Sequence, residues 1–333
     1  MIRLSRTWRT ALVAVGVAGL ALTACSPSNE EPAESGAGNA AEQGGYPRTI
    51  GHAMGETTIE NKPRTVAALD SSYVDAALAL ETEVVAYTKY PSYEQLPGYL
   101  GDDARYGRQA KVIGELSSPD VEQLYDIAPD LIVSAKIRHE ELYDELSNVA
   151  PTVFSETTGA TWKDNIRLLA KALGKEQLAE RKIGAYEERA RSIGEAIKAK
   201  LGRTPTYSLV RFVEGEPTVR LYSDQSFPGI VMSDVGLASP QGQPDAKDSI
   251  ATDLSQEDIG KLDADRIYVS SYVDSTQEAE DPKAKFQSNP LWGTLAGKIA
   301  EVDDNTWYTS VSLQGAHAML DDIARQFGVD PNA

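Results

Sequence analysis

The chain has 333 residues, and 50 aspartates and glutamates against 32 lysines and arginines give it a formal net charge of −18. A surface this acidic repels phosphate groups, which excludes nucleic acid and anionic lipid surfaces as partners. The length is sufficient for two lobes that each bury a core of their own.

The first 24 residues have the features of a secretory signal peptide. Three arginines precede a short apolar stretch at residues 11–22, and a membrane-spanning helix would need about 20 apolar residues. The following Leu-Thr-Ala-Cys, which ends at Cys25, resembles a bacterial lipobox. Because Cys25 is the only cysteine, an intramolecular disulfide is impossible. We therefore expect Cys25 to carry a lipid and to be the mature N-terminus; a buried structural cysteine is the poorer alternative.

Residues 25–45 are predicted to form a lipid-anchored flexible tether. Residues 26–45 are Ser, Pro, Glu, Gly, Ala, Asn and Gln without an apolar period, a composition that cannot bury a core. A disordered segment with no spacing role has the same composition. The folded body is expected to start near Tyr46.

A first α/β lobe is predicted over residues 46–160. We expect Ser71 or Ser72 to cap its first helix, with Asp75 at capping-box distance from Ser72, and Asp120 to cap the second helix. The alternation of strands and helices implies a largely parallel sheet. The predicted elements are a strand at 65–70, a helix at 73–80, strands at 84–87 and 112–113, a helix at 120–127, a strand at 131–134 and a helix at 139–146.

A connecting helical region is predicted over residues 161–202. After a shorter helix at residues 162–173 that ends at Gly174, residues 175–202 carry apolar side chains at steps of mostly three and four. Gly202 is placed to stop this helix. We interpret it as one long helix that joins two α/β lobes; the alternative is an ordinary surface helix of a single larger domain.

A second α/β lobe is predicted over residues 203–333. The fold class is thus α/β, with two lobes of mostly parallel sheets joined by one long bridging helix. The predicted elements are strands at 207–213 and 219–222, a helix at 227–235, a polar loop at 239–253, a helix from Ser255, a strand at 266–270, a helix around 290–298 and a last helix at 313–327.

The two lobes share a pattern at a constant offset. Glu122 and Asp130 in the first lobe match Glu257 and Asp265 in the second, each pair 135 positions apart. Each copy has a capping residue, a helix-spaced apolar set, and an aspartate before an apolar strand. This pattern predicts structural repeats, although chance or a generic α/β unit would give a similar match.

Several short motifs occur in an order that identifies a family. From about residue 46 to 328 the chain resembles the iron-siderophore substrate-binding proteins of bacterial ABC importers, whose two α/β lobes are bridged by one long helix. The motifs are Pro-Arg-Thr-Val-Ala-Ala-Leu-Asp at 63–70, Ile-Gly-Glu at 113–115, Glu122 with Ala-Pro-Asp-Leu-Ile-Val at 128–133, and Leu-Ser-Gln-Glu at 254–257.

The second half resembles the ferric hydroxamate branch of that family, through Val-Arg-Phe at 210–212, Arg-Leu-Tyr at 220–222 and the pair Ser226-Phe227. Tricatecholate binders often have an arginine where Ser226 stands. The serine favours a hydroxamate ligand without excluding a catecholate. The siderophore itself, its affinity, the permease and the extent of lobe closure are not determined by these motifs.

The resemblance implies an extracytoplasmic lipoprotein, monomeric and held at the cell membrane through its lipid alone, that delivers a ferric siderophore to an ABC permease dimer for iron uptake. A ferric siderophore already fills the coordination sphere of its iron, so no intrinsic cofactor and no protein metal ligands are expected. The protein would supply cations, hydrogen-bond donors and aromatic rings at the carboxyl ends of its strands. The candidate ligand-binding residues are Arg138, Arg211, Arg220, Tyr222, Trp307, Tyr308, Tyr90 and Tyr93.

These candidates also have structural interpretations. Arg138 and Arg211 could form ion pairs that serve the fold, and Arg220 with Tyr222 could face solvent. Trp307 could belong to the core, and Tyr90 and Tyr93 could pack within their loop.

Glu122 and Glu257 are the candidate permease contacts. In the family, paired acids of this kind contact arginines on a two-fold-related permease pair, and two separated carboxylates would fix orientation as well as steer encounter. The alternative is that each glutamate merely favours its helix N-terminus through the dipole.

An enzyme is not expected, because the sequence has no nucleophile elbow, P-loop or HExxH motif. His52, His139 and His317 show no metal-site spacing. A haem- or corrinoid-binding lipoprotein of an ABC importer, with an axial His or Tyr, is the alternative within binding proteins. A surface adhesin is the alternative outside them.

Overall fold

Two five-stranded sheets, one in each half of the chain, form the framework of the protein. The computed structural model describes residues 45–90, 93, 95–246, 249–272 and 282–332, which belong to one compact unit. The predicted signal peptide, Cys25 and tether residues 25–44 lie outside these described residues. Within the described ranges, none of the helices has the length and apolarity that crossing a membrane requires.

The first half begins with a hairpin and continues as alternating strands and helices. Its elements are β1 (Arg48–His52), β2 (Gly55–Ile59), β3 (Thr65–Ala68), α1 (Ser71–Ala79), β4 (Glu83–Tyr87), a 3₁₀ helix (Gly98–Tyr106), β5 (Lys111–Val112), β6 (Gly114–Glu115), β7 (Ser118–Pro119), α2 (Val121–Ile127), β8 (Leu131–Ala135), α3 (Lys136–His139), a 3₁₀ turn (Glu140–Leu142), α4 (Tyr143–Val149) and β9 (Thr152–Ser155).

The first sheet is parallel throughout, with the strand order β5-β4-β3-β8-β9. Successive side chains of a strand point to opposite faces. Val66 and Val133 accordingly join one core with residues of α1, whereas Ala67 and Ile132 join another with residues of α2 and α4. Coverage on both faces explains why the strands are continuously apolar, and the predicted parallel sheet is confirmed.

The start of α1 differs from the prediction. Asp70, not a serine, is the N-cap, and its Oδ1 accepts a hydrogen bond from the Ser72 backbone nitrogen at 2.9 Å. Asp75 makes no capping box; its side chain is fully buried. The capping of α2 by Asp120 is confirmed, since its Oδ1 accepts from the Gln123 backbone nitrogen at 3.3 Å.

The predicted long helix is confirmed. After a shorter helix, α5 (Trp162–Leu173), the helix α6 runs through Glu176–Leu201 and ends at Gly202, whose φ of 70° is the left-handed conformation that glycine adopts without strain. Its contacts reach both halves. Lys175 Nζ, just before α6, donates to the Leu80 carbonyl at 2.7 Å, and Lys200 Nζ donates to the Gly328 carbonyl at 2.7 Å.

The second half repeats the alternation of strands and helices, but one of its strands is antiparallel to both of its neighbours. Its elements are β10 (Tyr207–Val213), β11 (Val219–Tyr222), α7 (Phe227–Asp234), β12 (Ala251–Leu254), a 3₁₀ helix (Gln256–Leu262), β13 (Arg266–Tyr272), α8 (Pro282–Ser288), a 3₁₀ turn (Trp292–Thr294), β14 (Lys298–Glu301), a π-helical turn (Asn305–Thr309) and α9 (Leu313–Phe327).

The second sheet has the order β12-β11-β10-β13-β14, and β11 is its antiparallel strand.

Three local predictions in the second half were wrong. The polar loop at 239–253 runs into a strand, β12; the helix from Ser255 is a 3₁₀ helix; and the region 290–298 holds a 3₁₀ turn and the start of β14. The helix 139–146 of the first half was imprecise, since helical structure starts at Lys136 and is broken by the 3₁₀ turn.

The repeat predicted between the halves has a matching hydrogen-bond pattern. Asp130 Oδ2 accepts from the Thr65 backbone nitrogen at 3.0 Å, and Asp130 donates its own backbone N–H to Thr65 Oγ1 at 3.1 Å. Asp265 and Thr206 make the same reciprocal pair, at 2.7 and 3.1 Å. In each half this aspartate fixes the start of the neighbouring strand. The predicted boundaries of the two lobes, residues 46–160 and 203–333, remain a prediction.

Candidate functional site

The carboxyl end of the first sheet presents an arginine held by a buried carboxylate. Asp70 follows β3 and Arg138 follows β8, and Arg138 Nε donates to Asp70 Oδ2 at 3.0 Å. The Asp70 side chain is 4% exposed, whereas that of Arg138 is 41% exposed. Neither Nη nitrogen of Arg138 bonds to any residue that the structure describes. A fixed guanidinium with free N–H groups is therefore available to a ligand.

A buried histidine anchors the helix that carries Arg138. His139 Nε2 lies 2.7 Å from the Leu116 carbonyl, and its Nδ1 lies 2.7 Å from Ser134 Oγ. Because a carbonyl oxygen can only accept, Nε2 carries the proton and Ser134 donates to Nδ1. Burial lowers the pKa of His139, so the neutral ring that this arrangement requires is favoured at neutral pH.

In the second half, Arg211 on β10 pairs with a buried carboxylate as well. Its Nε and Nη2 donate to the two oxygens of Asp304, at 2.7 and 2.6 Å, and Nη1 donates to the Tyr222 hydroxyl at 3.0 Å. Ser270 Oγ donates to Asp304 Oδ1 at 2.8 Å. Burial alone would lower the pKa of Arg211, but the hydrogen bonds to Asp304 and Tyr222 and the negative charge of Asp304 raise it.

Aromatic rings surround this ion pair. The guanidinium carbon of Arg211 lies 5.0 Å from the Tyr272 ring centroid and 5.3 Å from that of Tyr308. The rings of Tyr222 and Tyr308 are 4.7 Å apart, edge to face. Arg220 is opposite Arg211 in the register of β10 and β11, and it pairs with both carboxylate oxygens of Glu216. The arginines and tyrosines of the second lobe thus form one cluster.

Two of the predicted aromatic contacts are core residues. Trp307 is fully buried, stacks on Tyr268 at 4.6 Å, and donates its indole N–H to Asp322 Oδ2 at 2.9 Å. Tyr90 is 2% exposed and donates its hydroxyl to Asp75 Oδ1 at 2.5 Å. Both side chains are enclosed by other residues and therefore do not face a ligand surface. The sequence pattern does not reveal this burial.

Tyr93 is placed differently, at the junction of the two halves. It is half-buried, and its pKa is raised by burial and by the charge of Asp303 in the second half. A hydrogen bond from Asn305 opposes that shift. Tyr308, 7% exposed, borders the arginine cluster with its ring.

Beside the cluster, a cavity of about 370 Å³ lies at the carboxyl ends of β13 and β14. It is lined by Ser271, Tyr272, Lys283, Glu301, Val302, Asp303, Asp304 and Asn305. Sequence reasoning missed Asp304, Tyr272 and Asp70. Asp70 directly after a strand was a usable signal, whereas Asp304 is 93 positions from the arginine that it binds.

The two candidate docking glutamates are exposed. Glu122 lies in the first turn of α2, and Glu257 lies in the first turn of the 3₁₀ helix Gln256–Leu262. Among the described residues, no group of three or more histidine, cysteine or carboxylate side chains could hold a metal ion.

A family model described as periplasmic binding protein matches residues 66–302. The chain is 33% identical to the probable siderophore-binding lipoprotein YfiY of Bacillus subtilis, over 93% of this chain and 95% of that protein. It is 28% identical to the achromobactin-binding periplasmic protein of Dickeya dadantii, over 80% of this chain and 87% of that protein.

The fold is also similar to solved structures. The crystal structure of Staphylococcus aureus SirA complexed with staphyloferrin B superposes with a TM-score of 0.74, over 85% of this chain and 99% of SirA, at 26% identity.

Proposed function

Since the chain belongs to the periplasmic binding protein family, we propose that it captures a ferric siderophore between its two lobes and delivers it to an ABC permease for iron uptake. The observation that carries this proposal is the placement of Arg138 and of the Arg211 cluster at the carboxyl ends of the two sheets, where ligands of α/β folds bind. The relatives support it as well, because their names describe proteins that bind siderophores.

The chemistry of the site suits a preformed iron complex. A ferric siderophore exposes partly negative oxygens around an organic scaffold, which matches guanidinium N–H donors bordered by tyrosine rings. Asp70 and Asp304 hold Arg138 and Arg211 in fixed orientations, so less side-chain entropy is lost when the ligand binds.

The preference for a hydroxamate ligand rests on Ser226, and the structure gives that residue a second explanation. Ser226 caps α7, accepts a hydrogen bond from the Gly229 backbone nitrogen at 3.1 Å, and is 1% exposed. The serine is thus accounted for by the helix start. Hydroxamate binding stays a proposal, to be compared with catecholates and with the achromobactin and staphyloferrin B named for the relatives.

We further propose that Cys25 carries the lipid that holds the protein, as a monomer, on the extracytoplasmic face of the membrane. Glu122 and Glu257 would contact a permease dimer. Their exposure and their equivalent places in the two halves support this role.

The alternative of haem binding finds no support at His139, which is 3% exposed and has both ring nitrogens engaged. A haem titration followed by its absorption spectrum would detect an axial ligand from another residue.

Tryptophan fluorescence quenching tests the proposed function. Trp307 lies next to the cluster residue Tyr308, so a bound coloured ferric complex should quench its emission. We expect saturable quenching by at least one member of a panel of ferric hydroxamates, catecholates, achromobactin and staphyloferrin B, and none by the iron-free chelator at the same concentration. Absence of quenching and of thermal stabilisation across the panel would refute siderophore capture.

A further inference from the structure

A buried acid binds Tyr90, three positions before Tyr93. Asp75 on α1 is 0% exposed. Its Oδ1 accepts the Tyr90 hydroxyl at 2.5 Å, and its Oδ2 accepts the Tyr99 hydroxyl at 2.9 Å. Two phenol donors on one enclosed carboxylate make a charge-assisted arrangement, which is stronger than bonds between neutral groups.

Tyr90 connects this acid to the junction between the halves. The Tyr93 backbone nitrogen donates to the Tyr90 carbonyl at 3.3 Å. When Asp75 fixes Tyr90, it therefore also restrains the backbone of Tyr93, whose side chain interacts with Asp303 and Asn305 of the second half.

The same residue contacts the second half directly. Gln314 on α9 donates its Nε2 to the Asp75 backbone carbonyl at 3.0 Å and lies 3.1 Å from Asp103 Oδ2. The Ser312 hydroxyl also bonds to the Asp75 carboxylate. Asp75 is thus a point where α1, Tyr90, the 3₁₀ helix Gly98–Tyr106 and α9 meet.

We propose that Asp75 is a positioning residue for the ligand cleft. Its ionised carboxylate holds Tyr90 and Tyr99, and the Tyr90 carbonyl in turn holds the Tyr93 backbone nitrogen, so that siderophore affinity depends on the charge state of Asp75. The proposal rests on the proposed function. Its physical basis is that protonation replaces one acceptor site of the carboxylate by an O–H donor and removes its charge, so the three hydroxyls that share it, of Tyr90, Tyr99 and Ser312, are held less strongly.

The surroundings of Asp75 shift the protonation of its carboxylate to near neutral pH. Burial raises the pKa of Asp75 to about 7, against the opposing hydrogen bonds from Tyr90, Ser312 and Tyr99, and the charge of Asp70 raises it further. Other titratable and charged groups also face this cluster. Tyr87 lies beside Tyr90, Tyr93 and Asp303 of the second half act on Tyr99, and Asp103 lies 4.0 Å from Lys182 of α6. Tyrosines and lysines change charge far above neutral pH, and Asp75 is the carboxyl of this cluster whose pKa burial raises into the neutral range.

The test is a set of siderophore titrations between about pH 6 and about pH 8, where a carboxyl of pKa near 7 changes from mostly protonated to mostly ionised. For the wild-type protein we expect affinity to fall by about five- to tenfold on acidification. Asp75→Asn should bind weakly at both pH values and lose most of this dependence. Protonation of the siderophore itself affects both proteins equally and cancels in the comparison.

Tyr90→Phe leaves Asp75 in place and should also weaken binding, with faster amide hydrogen exchange at Tyr93 in the ligand-free protein. Tyr268→Phe is the matched control, because its buried hydroxyl has no hydrogen-bond partner among the described residues, and its affinity should equal the wild-type value. Parallel pH profiles for wild type and Asp75→Asn would overturn this inference alone. Absence of binding by the wild-type protein would overturn the proposed function and this inference together.

Discussion

Asp304 binds Arg211 through two parallel hydrogen bonds, from Nε to Oδ1 at 2.7 Å and from Nη2 to Oδ2 at 2.6 Å, although the residues are 93 positions apart. Their side chains are 8% and 13% exposed. An ion pair this enclosed is sensitive to the loss of one partner, because the remaining charge is then buried without compensation.

The first prediction follows from that pair. Asp304→Ala should lower the free energy of unfolding by about 3–5 kcal/mol, the cost of an uncompensated buried charge, as measured by urea denaturation. Arg325→Ala removes a surface ion pair whose arginine is 70% exposed and should change stability little. Equal effects of the two substitutions would contradict the interpretation of Asp304 as the buried anchor of Arg211.

Arg138 gives the second prediction. Arg138→Ala should weaken ferric-siderophore binding by more than about tenfold, since a charge-assisted contact contributes at least that much. The ligand-free melting temperature should fall only modestly, because Arg138 is 41% exposed and Asp70 Oδ1 keeps its hydrogen bonds from the Ser72 backbone and hydroxyl. Arg138→Lys retains the charge and should recover only part of the affinity. A wild-type titration curve for Arg138→Ala would remove the residue from the site.

The third prediction concerns acid stability. His317 Nδ1 accepts a hydrogen bond from Arg189 Nη1 at 3.1 Å, and burial, together with the charge of Arg189, lowers its pKa to about 4. An unfolded histidine titrates near 6.5, so between about pH 6.5 and 4 the unfolded chain binds a proton that the folded chain does not. The free energy of unfolding should therefore decrease as pH falls through this window.

Chemical denaturation of wild type and His317→Asn at a series of pH values checks this. The asparagine keeps an acceptor for Arg189 but cannot titrate, so its stability should fall less on acidification. Some slope should remain, because burial lowers the pKa of His52 and His139 as well. Identical slopes for the two proteins would show that His317 does not contribute.

The elements that were predicted accurately are those whose signals are local. Helix α6 is bounded by Gly174 and Gly202, and its buried stripe from Ala179 to Ile197 follows the helical period. The strand β10 and the helix α9 were likewise placed at their observed bounds, because apolar pattern and flanking turns coincide there.

The errors occur where contacts between residues far apart in the sequence determine the structure. Residues 298–301 form a strand because Ile299 is in register with Ile267 on β13, and this pairing has no counterpart in the local sequence. Trp307 resembles a ligand contact in the linear chain, yet its stacking on Tyr268 makes it part of the core. In the candidate site, the arginines were proposed from the sequence, but their carboxylate partners were not.

The fourth prediction concerns the membrane anchor. Because one thiol would carry the lipid, Cys25→Ala should release the protein from membranes or leave it unprocessed. Fractionation and metabolic lipid labelling measure this, with Cys25→Ser as a second variant that also lacks a thiol. Lipid labelling at the wild-type level in either variant would refute anchoring through Cys25.

The last prediction concerns docking to the permease. Glu122 and Glu257 are exposed at equivalent places in the two halves, so each lobe would offer one carboxylate to arginines on a two-fold-related permease pair. Two separated charges fix orientation as well as steer encounter, whereas one does only part of this. The double variant Glu122→Ala with Glu257→Ala should therefore abolish iron-siderophore uptake in cells and leave siderophore affinity of the purified protein unchanged. Glu145→Ala, an exposed acid on α4, is the matched control and should transport normally. Uptake at the wild-type rate by the double variant, at normal protein levels, would leave the glutamates with a role at their helix N-termini alone.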